Sequence, residues 1–171
     1  MIGAIALLLS LALLWVRRFD AAVQLGALQA WCVAVAIGET AMPIAVVAVL
    51  LNGIALPLTL ARLPAPPDLA RRGSVRLGWS AALLILLATL TIVAKYVPGL
   101  RIALGVSVVL LALLLIALRP HPLVPVLGLL SAQNGVLLVA GALPELPLSV
   151  ALVSAMPLVP ALVLADTWVR R

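Results

Sequence analysis

The sequence carries little charge and few aromatic side chains. Only 9 % of its 171 residues are Asp, Glu, Lys or Arg and 4 % are aromatic, whereas 66 % are hydrophobic. A soluble domain has about 25 % charged and about 45–50 % apolar residues. So few charges cannot cover a globule in water, so the composition excludes a soluble fold. The length also leaves no room beside membrane spans for an extramembrane domain of ordinary size, at least about 50 residues.

Residues for metal binding, disulfides and catalysis are equally scarce. Cys32 is the single cysteine and His121 the single histidine, which excludes a disulfide framework and a histidine-based metal site. The sequence contains no nucleotide-binding loop, haem motif or nucleophile elbow. We therefore predict no catalytic, cofactor-binding or metal-binding residues and no enzymatic activity. The formal charge of +6 is interpreted as a topology signal rather than as a sign of nucleic-acid binding.

Long hydrophobic runs fill most of the chain. Each run approaches the roughly 20 residues that cross a bilayer as a helix. Helices are the only open arrangement, because a lipid-facing backbone must satisfy its own hydrogen bonds. The sequence therefore predicts an all-α, polytopic membrane helix bundle of about seven transmembrane helices in a single domain, residues 1–171. The uncharged runs are 1–16, 21–38, 40–61, 77–94, 102–118, 120–144 and 146–165.

The basic residues predict the orientation of these spans. Most lie in loops that share one side of the membrane, and only Lys95 and Arg101 fall on the other side. The positive-inside rule then places the N-terminus outside and the C-terminus in the cytoplasm. Residues 62–76 form a Pro- and Arg-rich cytoplasmic loop in this interpretation. The cytoplasmic set comprises Arg17, Arg18, Arg62, Arg71, Arg72, Arg76, Arg119, Arg170 and Arg171.

A few uncharged polar residues lie inside the predicted spans. They are Asn52, Gln133, Asn134 and Ser154. Side-chain amides need hydrogen-bond partners in hydrocarbon, so the three amides predict a shared interhelical cluster. Two roles stay open for it, polar contacts between helices and a path for water or substrate. No acid, lysine or histidine lies in the middle of a run, and His121 is expected in a loop or at the interface, with a proton relay as the alternative.

Prolines mark the end of the chain. Pro157 and Pro160 lie inside the seventh predicted span, where each removes a backbone donor and clashes with the preceding turn. We expect a kinked or broken helix there. Such breaks occur where something binds or moves, and also where neighbouring helices simply tolerate them.

Several segments resemble the hydrogenase-4 component E family. Residues 123–144, LVPVLGLLSAQNGVLLVAGALP, resemble its E-N-G helix, and LPEL at 143–146 resembles the turn before its last helix. VLLNGIALPLTLARL at 49–63 is similar to the end of its third helix, and Gln29 lies where its second helix has a glutamine. The resemblance implies a small multi-span subunit of an energy-converting hydrogenase or formate hydrogenlyase. It also implies kinship with the K subunit of complex I and the C subunit of Na⁺/H⁺ antiporters.

The sequence departs from that family at its charged positions. The family's glutamate before Asn-Gly corresponds to Gln133, and its third-helix lysine corresponds to Asn52. Its last-helix acids correspond to residues 148–155, LSVALVSA. A glutamine keeps the shape of glutamate but exchanges no proton. The resemblance therefore implies a proton path that is disabled in this chain.

Three functions are compatible with these observations. The first is a structural subunit, packed against antiporter-like membrane subunits in the bacterial cytoplasmic membrane and in contact with the lipid bilayer. The second is a hydrated proton- or ion-conducting subunit that combines its amides with carboxylates of neighbouring subunits. The third is a stand-alone transporter of a small neutral solute, with its site at the kinked seventh span.

Overall fold

The computed structural model describes residues 2–38, 40–62, 81–86, 88–89, 99–119, 121, 123–143 and the single positions 156, 159, 163 and 167. Every regular element within these residues is helical. The helices are α1 (Ile2–Leu13), α2 (Phe19–Ile37), α3 (Met42–Ala61), α4 (Leu100–Leu118) and α5 (Val124–Ala140). Residues 81–86 and 88–89 are also helical.

Three of these helices are long and apolar enough to cross a membrane, namely α2, α3 and α4. They fill nearly all of the predicted runs 21–38, 40–61 and 102–118. The other two apolar helices are shorter, with 12 residues in α1 and 17 in α5. The prediction of an all-α fold with apolar helices of membrane-spanning length is thus confirmed in these segments. Apart from the single positions 156, 159 and 163, the seventh predicted span lies outside the described residues, and so do its Ser154, Pro157 and Pro160. The loop 62–76 apart from Arg62 also lies outside them.

The middle of α3 is a π-helix, Ala48–Ala55, with α-helical turns before and after it. The wider turn ends just before Pro57, where the N–H of Leu56 bonds the carbonyl of Leu51, five residues earlier. A proline inside a helix lacks an N–H and its ring clashes with the carbonyl four residues before it, here Gly53. The π-helical turns relieve that clash without ending the span.

Helix α2 lies at the centre of the described bundle, against α1, α3 and α5, while α4 packs on α1 and most extensively on α5. The contacting residues give the directions of the helices. Helices α1 and α4 are parallel, because Gly3 lies near Leu104 at one end and Leu14 near Arg119 at the other. Consecutive helices joined by short turns are antiparallel.

Glycines allow α4 and α5 to touch through their backbones. A Cβ atom added to Gly105 would lie 2.7 Å from the carbonyl oxygen of Gly135, and one added to Gly135 would lie 2.7 Å from that of Gly105. Lipid chains are as apolar as leucine, so helices in a membrane associate through close packing rather than through a hydrophobic driving force. The two glycines therefore set the separation of α4 and α5.

A buried arginine ties two helix ends together. Arg119 follows α4 directly and is only 3 % exposed. Its Nη2 atom donates a hydrogen bond of 2.8 Å to the carbonyl oxygen of Leu14, just beyond α1. Carbonyls at helix C-termini lack intrahelical partners and attract cations. Arg119 thus caps α1, a role that its place in a predicted loop did not indicate.

The opposite end of the bundle is joined through Thr40, in the turn between α2 and α3. Its hydroxyl lies 2.9 Å from the carbonyl oxygen of Gly141, at the end of α5, and 3.1 Å from that of Ile37. Arg101, in the first turn of α4, donates to the Thr40 Oγ1 atom at 3.3 Å. Three helix ends and one turn therefore meet at this hydroxyl.

We expect Gly105→Ala and Gly135→Ala to destabilise the bundle by about 1–3 kcal/mol each, because the added methyl group forces two backbones apart. Gly3→Ala is the matched control. Its added Cβ would lie 3.2 Å from Cδ1 of Leu104, the mobile end of a side chain, and alanine favours the helix. Reversible unfolding in mixed micelles measures the difference. Equal losses in all three variants would contradict the assigned backbone contact.

Candidate functional site

Polar side chains join α3, α5 and α2 in the middle of the bundle. The Nδ2 atom of Asn52 donates to Oδ1 of Asn134 at 2.8 Å. Nδ2 of Asn134 in turn lies 3.3 Å from Oε1 of Gln29 and 3.4 Å from the carbonyl oxygen of Gly26. Each of the three amides is fully buried. Asn134 therefore connects α3 with α2 across α5.

The connection continues from α2 into α1. Nε2 of Gln29 donates to Oγ of Ser10 at 2.5 Å and lies 3.3 Å from the carbonyl oxygen of Ala6. The hydroxyl of Ser10 donates to that same carbonyl at 3.0 Å. All donors thus point the same way, from α3 towards α1, and such chains polarise one another. We call Asn52, Asn134, Gln29 and Ser10 the amide chain.

The spacing of residues on α5 explains why Asn134 reaches α2. Leu130 and Asn134 lie one turn apart, so they share a helix face. Opposite Leu130 stands Gly26, where an added Cβ would lie 2.9 Å from Cδ2 of Leu130. The missing side chain lets the two helices approach, and the Gly26 carbonyl then comes within reach of Asn134.

Gln133 has a different environment from its neighbour Asn134. It is 2 % exposed, yet neither its Nε2 nor its Oε1 atom has a hydrogen-bond partner. Buried Oδ1 of Asn52 and Oγ of Ser131 are also unpartnered. Successive residues of a helix point about 100° apart, so Gln133 cannot share the contacts of Asn134. An unpaired buried amide costs about 1–3 kcal/mol.

The structure thus brings together Asn52 and Asn134 and leaves Gln133 outside their cluster. Gln29 and Ser10, which complete the amide chain, were not among the predicted polar positions. The sequence could have indicated Gln29, because this amide lies at the middle of α2 on the same face as Gly26 and Val33. It gave little indication of Ser10, because a serine in a helix usually bonds its own backbone, as Ser10 also does here.

His121 lies in the turn between α4 and α5, as expected of a loop histidine. Its Nδ1 atom accepts a hydrogen bond of 3.3 Å from the N–H of Leu123, at the start of α5. Burial lowers the pKa of His121 below its usual value of 6.5. The neutral imidazole is therefore the form that this turn holds, because protonation of Nδ1 would remove the acceptor.

The amide chain contains no group that titrates near neutral pH. Among the described residues, Arg119 is the one charged side chain that is buried, and it lies at the end of the bundle. Within the same residues no three His, Cys, Asp or Glu side chains lie together to hold a metal ion. The arrangement can accordingly join helices and hold water, whereas amides neither take up nor release protons.

No family model, no curated protein and no solved structure matches this chain. The membership in the hydrogenase-4 component E family that the motifs indicated stays a prediction. The geometry of the amide chain is therefore the main basis for the functional proposal.

The neighbours Asn134 and Gln133 provide a matched test of the amide chain. We expect Asn134→Leu to lower the free energy of unfolding by about 1–2 kcal/mol, because it leaves Nδ2 of Asn52 and Oε1 of Gln29 without the partners assigned here. Gln133→Leu removes two unpartnered atoms at almost the same burial, so stability should be unchanged or higher. Reversible unfolding in mixed micelles measures both. A greater loss in Gln133→Leu than in Asn134→Leu would contradict the assigned contacts.

The turn at His121 predicts a pH dependence of stability. Because the pKa of His121 is lowered by folding, the unfolded chain binds the proton more readily. The stability that this residue contributes is full above about pH 6.5 and is lost as the pH falls below that value. His121→Asn should reduce the slope of the free energy of unfolding against pH between about pH 7.5 and 5.5. An unchanged slope in that variant would assign the dependence to other groups.

Proposed function

We propose that this chain is a small structural subunit of a complex-I-like or energy-converting hydrogenase-like membrane arm. It packs against antiporter-like, proton-translocating subunits in a bacterial cytoplasmic membrane, and its own proton-path charges are neutralised. The observation that supports this most directly is the amide chain. A polar line crosses the middle of four helices and contains amides and a hydroxyl in place of ionisable groups.

The two family positions supply the second support. Asn52 and Gln133 stand where the family resemblance implies a lysine and a glutamate. Proton carriers inside membranes are ionisable residues facing the bundle interior. Both positions are buried in the bundle here, as a proton path would require, and both are neutral. Loss of charge with retention of burial is the pattern expected of a subunit that kept its packing role.

The directions of the helices favour the proposed seven spans. Helix α1 is parallel to α4 and antiparallel to α2, and α2 is antiparallel to α3, so α3 and α4 run the same way. Arg62 and Gly99 therefore lie at opposite ends of the bundle, and the helical residues 81–86 and 88–89 fall between them in sequence. This is the order expected if the predicted run 77–94 is a span. Arg17, Arg18 and Arg119 then share an end, as the proposed cytoplasmic face requires.

The outer faces of the described helices are apolar and suit lipid or neighbouring subunits. Large hydrophobic side chains remain exposed on every described helix except α5. In water they would favour aggregation, whereas in a membrane arm they form a contact surface. They include Leu8, Leu28, Leu58, Leu84 and Leu113.

One observation favours the second function, a hydrated conducting subunit. The unpartnered atoms of Gln133, Asn52 and Ser131 would be satisfied by buried water. Water in this position could extend the amide chain towards carboxylates of a neighbouring subunit. Coupled transport by the whole assembly would then be lost in Gln133→Leu, and it is retained if the role is structural.

Extraction in mild detergent tests the assembly. We expect this chain to copurify in fixed stoichiometry with large antiporter-like subunits and a soluble module. Recovery of the protein alone, monodisperse and stable, would overturn the proposal and favour a stand-alone transporter.

Reconstitution tests the structural role. Vesicles that contain only this chain, driven by a potassium diffusion potential and carrying an internal pH dye, should take up protons no faster than empty vesicles. The variants Gln133→Glu and Asn52→Lys restore the ionisable residues and serve as matched comparisons. Proton uptake through the unmodified chain would contradict the neutralised path, and uptake only in the variants would identify a dormant one.

A further inference from the structure

An apolar groove runs between α2 and α3 on the outside of the bundle. Its volume is about 370 Å³, within the roughly 300–1,000 Å³ of ligand pockets. The side chains that line it are apolar and largely exposed. They include Trp31, Val35 and Gly38 from α2 and Met42, Val46 and Leu50 from α3.

Trp31 forms one wall of the groove. Its indole lies against the backbone of α3, where a Cβ added to Gly53 would be 3.1 Å from Nε1. Half of the Trp31 side chain is nevertheless exposed, at 47 %. Because Gly53 has no side chain, the Trp31 indole packs against the backbone of α3 and leaves the groove beside it open.

A cation contacts the turn that follows one end of this groove. Gly38 and Met42 line that end, and Thr40, which lies between them in sequence but does not line the groove, accepts a hydrogen bond from Arg101. Arg101 is the charged residue at the start of α4, so its guanidinium lies where a span meets the bilayer surface. A phosphate group carried there by a lipid would pair with it.

We infer that the groove and Arg101 together form a binding site for an anionic phospholipid. One acyl chain occupies the groove, and the phosphate contacts Arg101 near Thr40. The inference rests on the membrane location in the proposed function. Charge complementarity identifies the occupant, because a second helix or a neutral lipid would fill the groove without using the arginine.

Trp31 itself reports on the occupant. The full chain with Trp15, Trp79 and Trp168 replaced by phenylalanine has one tryptophan, in the groove. In phosphatidylcholine vesicles we expect acyl-brominated lipid to quench Trp31 fluorescence. Brominated phosphatidylglycerol should bind the site roughly twofold to fivefold better than brominated phosphatidylcholine, and the preference should fall as salt is added.

Matched variants locate the headgroup. Arg101→Gln should abolish the preference, and Arg101→Lys should keep most of it. Arg18→Gln, which removes an exposed charge from the opposite end of the bundle, should leave it unchanged.

Two outcomes would overturn the inference. Equal quenching by the two lipids in the unmodified chain would show that Arg101 selects no headgroup. Absence of quenching by either lipid would show that the groove does not face the bilayer. Partner recovery in detergent is a separate measurement, so failure of the lipid site is distinguishable from failure of the proposed subunit role.

Discussion

The side chain of Asn134 is the contact on which the arrangement of the other helices depends. It accepts from Asn52 on α3 and donates towards Gln29 and the Gly26 carbonyl on α2. In hydrocarbon no water replaces a lost partner. Once Asn134 is buried, α2 and α3 must therefore place their own amides at the same depth. This requirement fixes the vertical register of three helices whose remaining surfaces are almost uniformly apolar and would slide past one another at little cost.

Close approach makes that register possible. Hydrogen bonds between side chains as short as Asn and Gln need helix axes that lie near each other, and glycine provides the space. Gly26 admits Leu130 and exposes its carbonyl, while Gly105 and Gly135 bring α4 against α5 from the other side. Helix α5 is held between them. The polar contacts and the small residues thus act together, since neither alone would select one packing among many apolar alternatives.

The sequence predicted the described helices well and their contacts poorly, because nearly all of its positions between the charged residues are apolar. Ionisable residues mark the ends of apolar runs, so α2, α3 and α4 followed from the charge pattern. Where nearly every position is apolar, however, periodicity does not separate a buried face from a lipid-facing one. Gln29 was therefore missed as a partner of Asn134, and Gln133 was grouped with residues to which it forms no hydrogen bond. Arg119 was assigned to a loop, and the structure confirms that it follows the end of α4. The sequence did not indicate that its side chain caps α1, because an arginine beside an apolar run is usually only a boundary signal.

The contrast between Asn134 and Gln133 limits what the interior can do. A route for protons needs groups that bind and release them in turn. The hydrogen bonds of the amide chain all point the same way and end on the backbone carbonyl of Ala6. None of its groups exchanges a proton, so the chain orders hydrogen bonds but does not carry protons. Gln133 sits beside it with both polar atoms unused, and it is the position where a single substitution to glutamate would introduce exchange. Gln133 can therefore be altered without removing a hydrogen bond of the amide chain, whereas Asn52, the other position at which the resemblance implies a charge, donates to Asn134 within it. A charge restored at Gln133 would test proton exchange alone, and one restored at Asn52 would also disturb helix packing.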